Sequence, residues 1–266
     1  MRKIFFIILL LLIGILPAAC SQKEGPNDIR VGVIAGPEMK LMEVAKQVAF
    51  KQFGLHVHII AFSDYQLPNQ ALTEHNIDAN AFQHEAFLQA QIKAHGYNLV
   101  VVGNTFLYPM GLYSSKIKSL AQLQAGDEIA IPNDPSNEAR ALLLLQKAKL
   151  ITLKSNITVN ATTQDIVDNP QRFKLISLDA AELPRAMKDV TLAAINTNYA
   201  VPAGLSPAKN ALFEESKDSP YMNVIVARAK DAHEKKIVEL VKAYQSTSVA
   251  QEAKKIFGND AAIAGF

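Results

Sequence analysis

Residues 29–35 (IRVGVIA) form a short apolar run rich in β-branched side chains, which predicts a strand. Gly36 and Pro37 follow. Over 38–53, Leu41, Val44, Ala45, Val48 and Ala49 then recur at helical spacing until Gly54 ends the pattern. The alternation continues with a strand over 55–62, a short helix over 65–76 broken early by Pro68, and a polar strand over 77–82. A helix over 85–95 stops at Gly96, and a strand spans 99–102. This rhythm predicts a parallel sheet with helices on both faces.

After Gly103 the pattern changes. Residues 105–114 (TFLYPMGLYS) are extended and aromatic around Pro109 and Gly111, and read as a connection between lobes. A second block follows, with strands over 128–131, 174–178 and 192–196 and helices over 136–150 and 182–188. The apolar run 221–228 predicts a strand that returns the chain to the first lobe. In 233–257, Ile237, Leu240, Val241 and Tyr244 fall at helical spacing. The chain therefore reads as α/β, in two lobes joined by at least two crossover segments, without repeats or low-complexity segments.

The N-terminus follows another rule. Arg2 and Lys3 precede thirteen uncharged residues, 4–16, and Ala18 and Ala19 stand before Cys20, the chain's single cysteine. That is the layout of a signal peptide, too short to be a transmembrane helix. A cysteine at the processing point predicts a lipoprotein acylated on Cys20, with 21–28 (SQKEGPND) as a polar tether. Pro17 stands where the bacterial lipobox usually has Leu, Val or Ile. Removing 1–19 leaves 25 basic residues against 25 acidic ones. A neutral chain without a basic stripe argues against nucleic-acid binding. Membrane attachment would come from lipid on Cys20.

The sharpest local signal is DPSNEAR, 134–140. Asp134 is suited to cap a helix and Pro135 to its first position, after a strand ending at 131. The helix start then lies at the carboxyl edge of the sheet, where open α/β sheets bind ligands, and its free N–H groups favour an anion. Asn137 and Arg140 share a helix face, and Arg140 can give a two-pronged hydrogen bond to a carboxylate. Alone, the motif equally fits a capped helix with a solvated arginine. DANAFQH, 78–84, is the matching turn in the first block, where Phe82 and His84 could face a cleft or simply pack and start a helix. Phe62, Tyr65 and Tyr108 lie at strand ends or connections and suit either a pocket wall or the core.

His84-Glu85 lacks a histidine four positions after His84, where Leu88 stands, so it is no zinc-protease motif. His56 and His58 alternate on one strand face without a supporting His, Cys or Asp cluster, so no metal site is expected. There is no G-x-S-x-G elbow, phosphate loop or dinucleotide glycine pattern, and hence no expected cofactor or catalytic group.

Six segments carry a family likeness: FSDYQLPNQAL (62–72), IDANAFQH (77–84), VVGNTFLYPMGLYSSKI (101–117), IAIPNDPSNEARALLLL (129–145), INTNYA (195–200) and SPYMNVIV (219–226). Together they resemble the methionine-binding lipoproteins of bacterial ABC importers, the NlpA family, over nearly the whole mature chain. The resemblance implies a two-lobed periplasmic-binding-protein fold that closes around methionine and hands it to an ABC permease with its ATPase. It implies a signal peptide over 1–19, a lipid-anchored tether over 20–28, lobe I over 29–108 plus 222–266, and lobe II over 109–221. Arg140 and Asn137 would hold the carboxylate and backbone end, and Asn196 and Asn223 would complete the contacts to the amino and carboxyl groups. Phe62, Tyr65, Phe82, His84 and Tyr108 would enclose the thioether. His84 and Arg140 would meet only when the lobes close. The expected protein is a monomeric binding protein of the cell envelope, facing the periplasm or exterior, and not an enzyme. A methionine dipeptide, D-methionine, another small amino acid, or a role as a surface adhesin remain open alternatives.

Overall fold

A computed structural model describes residues 25–157, 159–258 and 262–266. Cys20, the leader and most of the tether lie outside them. The chain begins with β1 (Asp28–Ile34), α1 (Pro37–Phe53), β2 (His56–Phe62), α2 (Leu67–Thr73), β3 (Ala79–His84), α3 (Glu85–His95) and β4 (Leu99–Leu107). It crosses to β5 (Gly111–Tyr113), β6 (Glu128–Pro132), α4 (Pro135–Lys147) and the short ribbon of β7 (Thr152–Leu153) and β8 (Ile166–Asp168). Next come β9 (Lys174–Leu178), α5 (Leu183–Ala186), β10 (Leu192–Ile195), α6 (Thr197–Ala200), α7 (Pro207–Asn210) and β11 (Phe213–Glu214). The chain returns in β12 (Met222–Arg228), α8 (Lys235–Tyr244), α9 (Thr247–Phe257) and β13 (Ile263–Ala264).

Local chemistry sets the principal helix limits. Pro37 opens α1 after Gly36, and Gly54 closes it in the left-handed conformation at φ 66°, which glycine adopts without Cβ strain. Gly96 closes α3 in the same way. Asp134 caps α4, accepting the Asn137 N–H at 3.0 Å. The expected helical stretch 233–257 is two helices, because Ser246 breaks the run and caps α9.

Two sheets form, in the orders β13-β4-β12-β3-β1-β2 and β11-β5-β10-β6-β9. Each has its own apolar core. The first packs Leu41, Met42 and Ala45 of α1 with Ile237 and Leu240 of α8, and the second packs Leu142 and Leu145 of α4 against Ile129 and Ile131. Neither sheet is wholly parallel, contrary to the expected parallel sheet. β1 pairs parallel with β2 and β3, but β12 enters between β3 and β4 antiparallel to both. The reason is topological. The chain leaves the first sheet at the carboxyl end of β4, so a strand returning from the other lobe must run the opposite way.

The strand expected over 99–102 extends to Leu107, because Gly103 is a packing residue rather than a terminator. A Cβ there would lie 2.7 Å from Val241 Cγ1 of α8. The connection expected over 105–114 therefore shrinks to Tyr108–Pro109–Met110 between two strands. Among the described residues no helix is long and apolar enough to cross a membrane.

Candidate functional site

The carboxyl ends of β3, β6 and β10 meet at the seam between the two sheets, and a cavity lies there. The first lobe contributes Tyr65 after β2, Phe82, Gln83 and His84 from β3, Phe87 from α3 and Asn223 from β12. The second contributes Asn137 and Arg140 from α4 and Asn196, Thr197 and Asn198 from the β10–α6 turn, while Tyr108 lies on the crossing. Eight of the nine expected residues line this one cavity. Phe62 does not; it packs behind the wall, against Ile34, Phe82 and Phe87.

His84 joins the lobes. Its Nδ1 accepts the Phe87 N–H at 3.1 Å, capping α3, so the ring proton sits on Nε2 and is donated to Asn137 Oδ1 at 3.2 Å. Burial first, and then the Arg140 charge, push the His84 pKa down to about 3, so the ring is neutral at physiological pH. The expected meeting of His84 with Arg140 is instead a hydrogen bond to Asn137, and Arg140 acts on it through its field. Asn137 Oδ1 also accepts from Asn196 Nδ2 at 2.8 Å, and Asn137 Nδ2 donates to both Asp134 oxygens at 3.0 Å. Both ends of the Asn137 amide are therefore engaged within the protein.

Arg140 is likewise partly committed. Its Nε lies 3.1 Å from each Glu215 oxygen, its Nη2 donates to Glu215 Oε2, and Nη2 also reaches the Tyr108 carbonyl at 2.9 Å. The two-pronged edge expected to face a ligand thus faces Glu215, and Nη1 is the corner left over. The guanidinium carbon stands 4.6 Å from the centre of the Tyr221 ring. Burial raises the Glu215 pKa, but the charge and hydrogen bonds of Arg140 and the Met110 N–H override it, leaving the carboxyl below its ordinary value.

The apolar side of the cavity is aromatic. Tyr65, Phe82 and Phe87 pack with ring centres 5.8–5.9 Å apart, Phe87 edge-on to both others. Tyr65 also donates its hydroxyl to Asn198 Oδ1 across the seam at 2.6 Å. Asn198 Nδ2 reaches Glu38 Oε2 at 3.4 Å, and Asn223 Nδ2 donates to Glu38 Oε1 at 3.1 Å. Asn196 Oδ1 is buried without a hydrogen-bond partner.

Sequence reading missed Glu38, Phe87, Asn198 and Glu215. Phe87 stood one helical turn after His84, and Asn198 two positions after Asn196, so both had a readable signal. Glu38 looked like an ordinary acid in the first turn of α1, and nothing in LFEESKD marked Glu215. His56 and His58 have partners elsewhere. His56 packs on Phe50 with ring centres 5.1 Å apart, and His58 Nε2 lies 2.7 Å from Asp28 Oδ1. Among the described residues no group of three or more His, Cys, Asp or Glu is placed to hold a metal.

Two α/β lobes, joined by crossing segments and enclosing a polar-and-aromatic cavity at the carboxyl ends of their strands, define a substrate-binding protein with the periplasmic-binding-protein fold. Residues 29–266 match the NlpA lipoprotein family, and the chain belongs to it. The D-methionine-binding lipoprotein MetQ of Escherichia coli O157:H7 is 50% identical over 250 residues, covering 93% of this chain and 92% of the relative. Among solved structures, an ABC-transporter periplasmic substrate-binding protein from Coxiella burnetii superposes with a TM-score of 0.87 at 57% identity, covering 89% of this chain and 100% of that one. A nutrient-binding protein from Burkholderia cenocepacia, solved bound to methionine, gives a TM-score of 0.87 at 48% identity, covering 90% and 100%.

Proposed function

We propose that this chain captures free methionine between its two lobes and delivers it to an ABC permease and its ATPase, as a carrier rather than an enzyme. The observation that carries the reading is Asn196 Oδ1, a buried acceptor without a partner in a cavity walled by aromatic rings. Such an orphan is costly unless a ligand donor completes it, and an α-ammonium is a suitable donor. Arg140 Nη1 supplies the opposite charge for the carboxylate. Asn223, whose bonds to Glu38 and the Phe82 carbonyl use only its nitrogen, keeps an oxygen for the ligand. Tyr65, Phe82, His84, Phe87 and Tyr108 enclose the thioether, whose sulfur packs well against aromatic edges. Asn137 then orients His84 and Asn196 rather than the ligand. The names of the relatives point to the same ligand.

In this reading lobe I comprises 29–108 plus 222–266 and lobe II 109–221. The division is supported by β4 ending at Leu107, β5 beginning at Gly111 and β12 beginning at Met222. Ligand contacts from both lobes favour the closed state. The protein acts as a monomer in the cell envelope, tethered by lipid on Cys20, which raises its effective concentration near the permease.

Native mass spectrometry of freshly purified protein is expected to show a bound mass equal to methionine, and calorimetry with L-methionine, D-methionine and a methionine dipeptide ranks the forms. An empty protein without a thermal shift on either enantiomer overturns the reading. Incorporation of radiolabelled palmitate tests the anchor separately.

A further inference from the structure

Glu38 is the one buried acid at the seam that the reading above leaves unused. The residue is 3% exposed, and among the described residues no lysine, arginine or histidine forms an ion pair with it. The amides of Asn198 and Asn223 hydrogen-bond to it from other elements, and the phenols of Tyr65, Tyr108, Tyr199 and Tyr244 lie within reach of its charge, all of them neutral. Buried carboxylates are ordinarily paired with a cation or protonated. Burial outweighs the two amide hydrogen bonds and raises the Glu38 pKa to about 8, so the carboxyl is mostly protonated at neutral pH. Among the described residues the hydrogen-bond donors to its carboxyl are Asn198 and Asn223, which themselves line the cavity, as does Asn196 with its orphaned acceptor. A positive group entering the cavity would therefore face a carboxyl with no other charge to answer.

We infer that Glu38 is the counter-charge for the ligand's ammonium, acting from behind the cavity wall through the Asn198 and Asn223 amides. This rests on the cavity being an amino-acid site and assigns a determinant of its specificity. The site selects ligands with a free, charged amino group over acids that lack one. The linkage is a simple proton balance. Ligand enters as a zwitterion, Glu38 changes from carboxylic acid to carboxylate, and its proton passes to solvent. Binding at pH 7 should release up to about one proton.

The test is calorimetry on the full chain with methionine and with its desamino analogue, 4-(methylsulfanyl)butanoate, using wild type and Glu38→Gln. Glu38→Gln should weaken methionine by about tenfold or more while changing the analogue less than about threefold, because only methionine brings the charge. In wild type, the apparent enthalpy at pH 7 should vary with the ionisation enthalpy of the buffer, reporting proton release, and this dependence should vanish in the variant. Equal losses for both ligands would make Glu38 a structural latch and overturn the inference, as would wild-type binding without proton release. The wild-type proton count decides the matter if Glu38→Gln does not fold or the analogue binds too weakly to measure. Failure of wild type to bind methionine at all would instead overturn the underlying ligand assignment, and this inference with it.

Discussion

Two buried glutamates bond to residues that line the same cavity, and their pKa values are shifted in opposite directions. Glu215 meets Arg140 through both oxygens and is held below its ordinary pKa, whereas Glu38 meets only amides and phenols and is raised to about 8. Burial disfavours the charged form of both, so the difference comes from the partner. Glu215 is balanced within the protein and fixes the guanidinium in place. Glu38 is unbalanced and sensitive to whatever charge enters. Lobe II carries a finished ion pair and lobe I an unfinished one, which in the proposed site would make the cleft stiff at its carboxylate end and responsive at its ammonium end.

The comparison breaks most violently at Arg140. Arg140→Ala leaves Glu215 buried without its cation, so the unfolding free energy should fall by about 3–5 kcal/mol in chemical denaturation, along with methionine binding. A change below about 1 kcal/mol would mean the pair is not the anchor described. Replacing both partners with apolar residues of similar volume should recover much of the stability without the binding.

The pH dependence of the protein without ligand sets Glu38 against a buried group of opposite sign, His84. His84 is depressed from 6.5 to about 3, so below pH 6.5 the unfolded chain takes up a proton that the folded chain refuses. The stability His84 contributes is present above pH 6.5 and is lost as the pH falls toward 3. Glu38 is raised from 4.5 to about 8, so its contribution is present below pH 4.5 and is lost as the pH rises toward 8. Each group changes the unfolding free energy by up to about 1.4 kcal/mol per pH unit inside its window. Urea titrations should show Glu38→Gln gaining on wild type as pH rises from 4.5 to 8. A constant difference between the two across that range would contradict the assignment.

Asn223→Ala should weaken methionine by about tenfold, or about 1.4 kcal/mol, since it removes the proposed ligand contact and a donor to Glu38. Unchanged affinity in a folded Asn223→Ala protein would remove this residue from the site. The smallest effect belongs to the clasp across the seam. Tyr65→Phe deletes the hydroxyl bond to Asn198 while keeping the ring, and should cost about 0.5–1.5 kcal/mol of closure, read as a several-fold faster methionine release in stopped flow. An equal rate would place Tyr65 in the wall alone.

Much of this molecule is written locally. Gly54 and Gly96 end helices because a left-handed residue without a Cβ fits there, and Asp134-Pro135 starts α4 because the cap and the fixed φ are properties of adjacent residues. The shared face of Asn137 and Arg140 follows from helical geometry alone. The alternating strands and helices are equally legible, since the spacing of apolar positions follows from local backbone geometry. Where local cues misled, a distant residue was responsible. Gly103 looked like a strand end and is instead a gap for Val241, and Phe62 looked like cavity wall until Phe82 and Phe87 covered it. Only the tertiary structure decided that β12 runs antiparallel between β3 and β4, because strand direction is set by where the chain comes back from. Only it brought Arg140 to Glu215, 75 positions away, and Glu38 to Asn198, 160 positions away. The sequence by itself determined which side chains could serve a zwitterion with an apolar tail. Which of them are already taken by the protein, and which are left for a ligand, depended on desolvation and charge balance across the seam, and these exist only once both lobes are packed together.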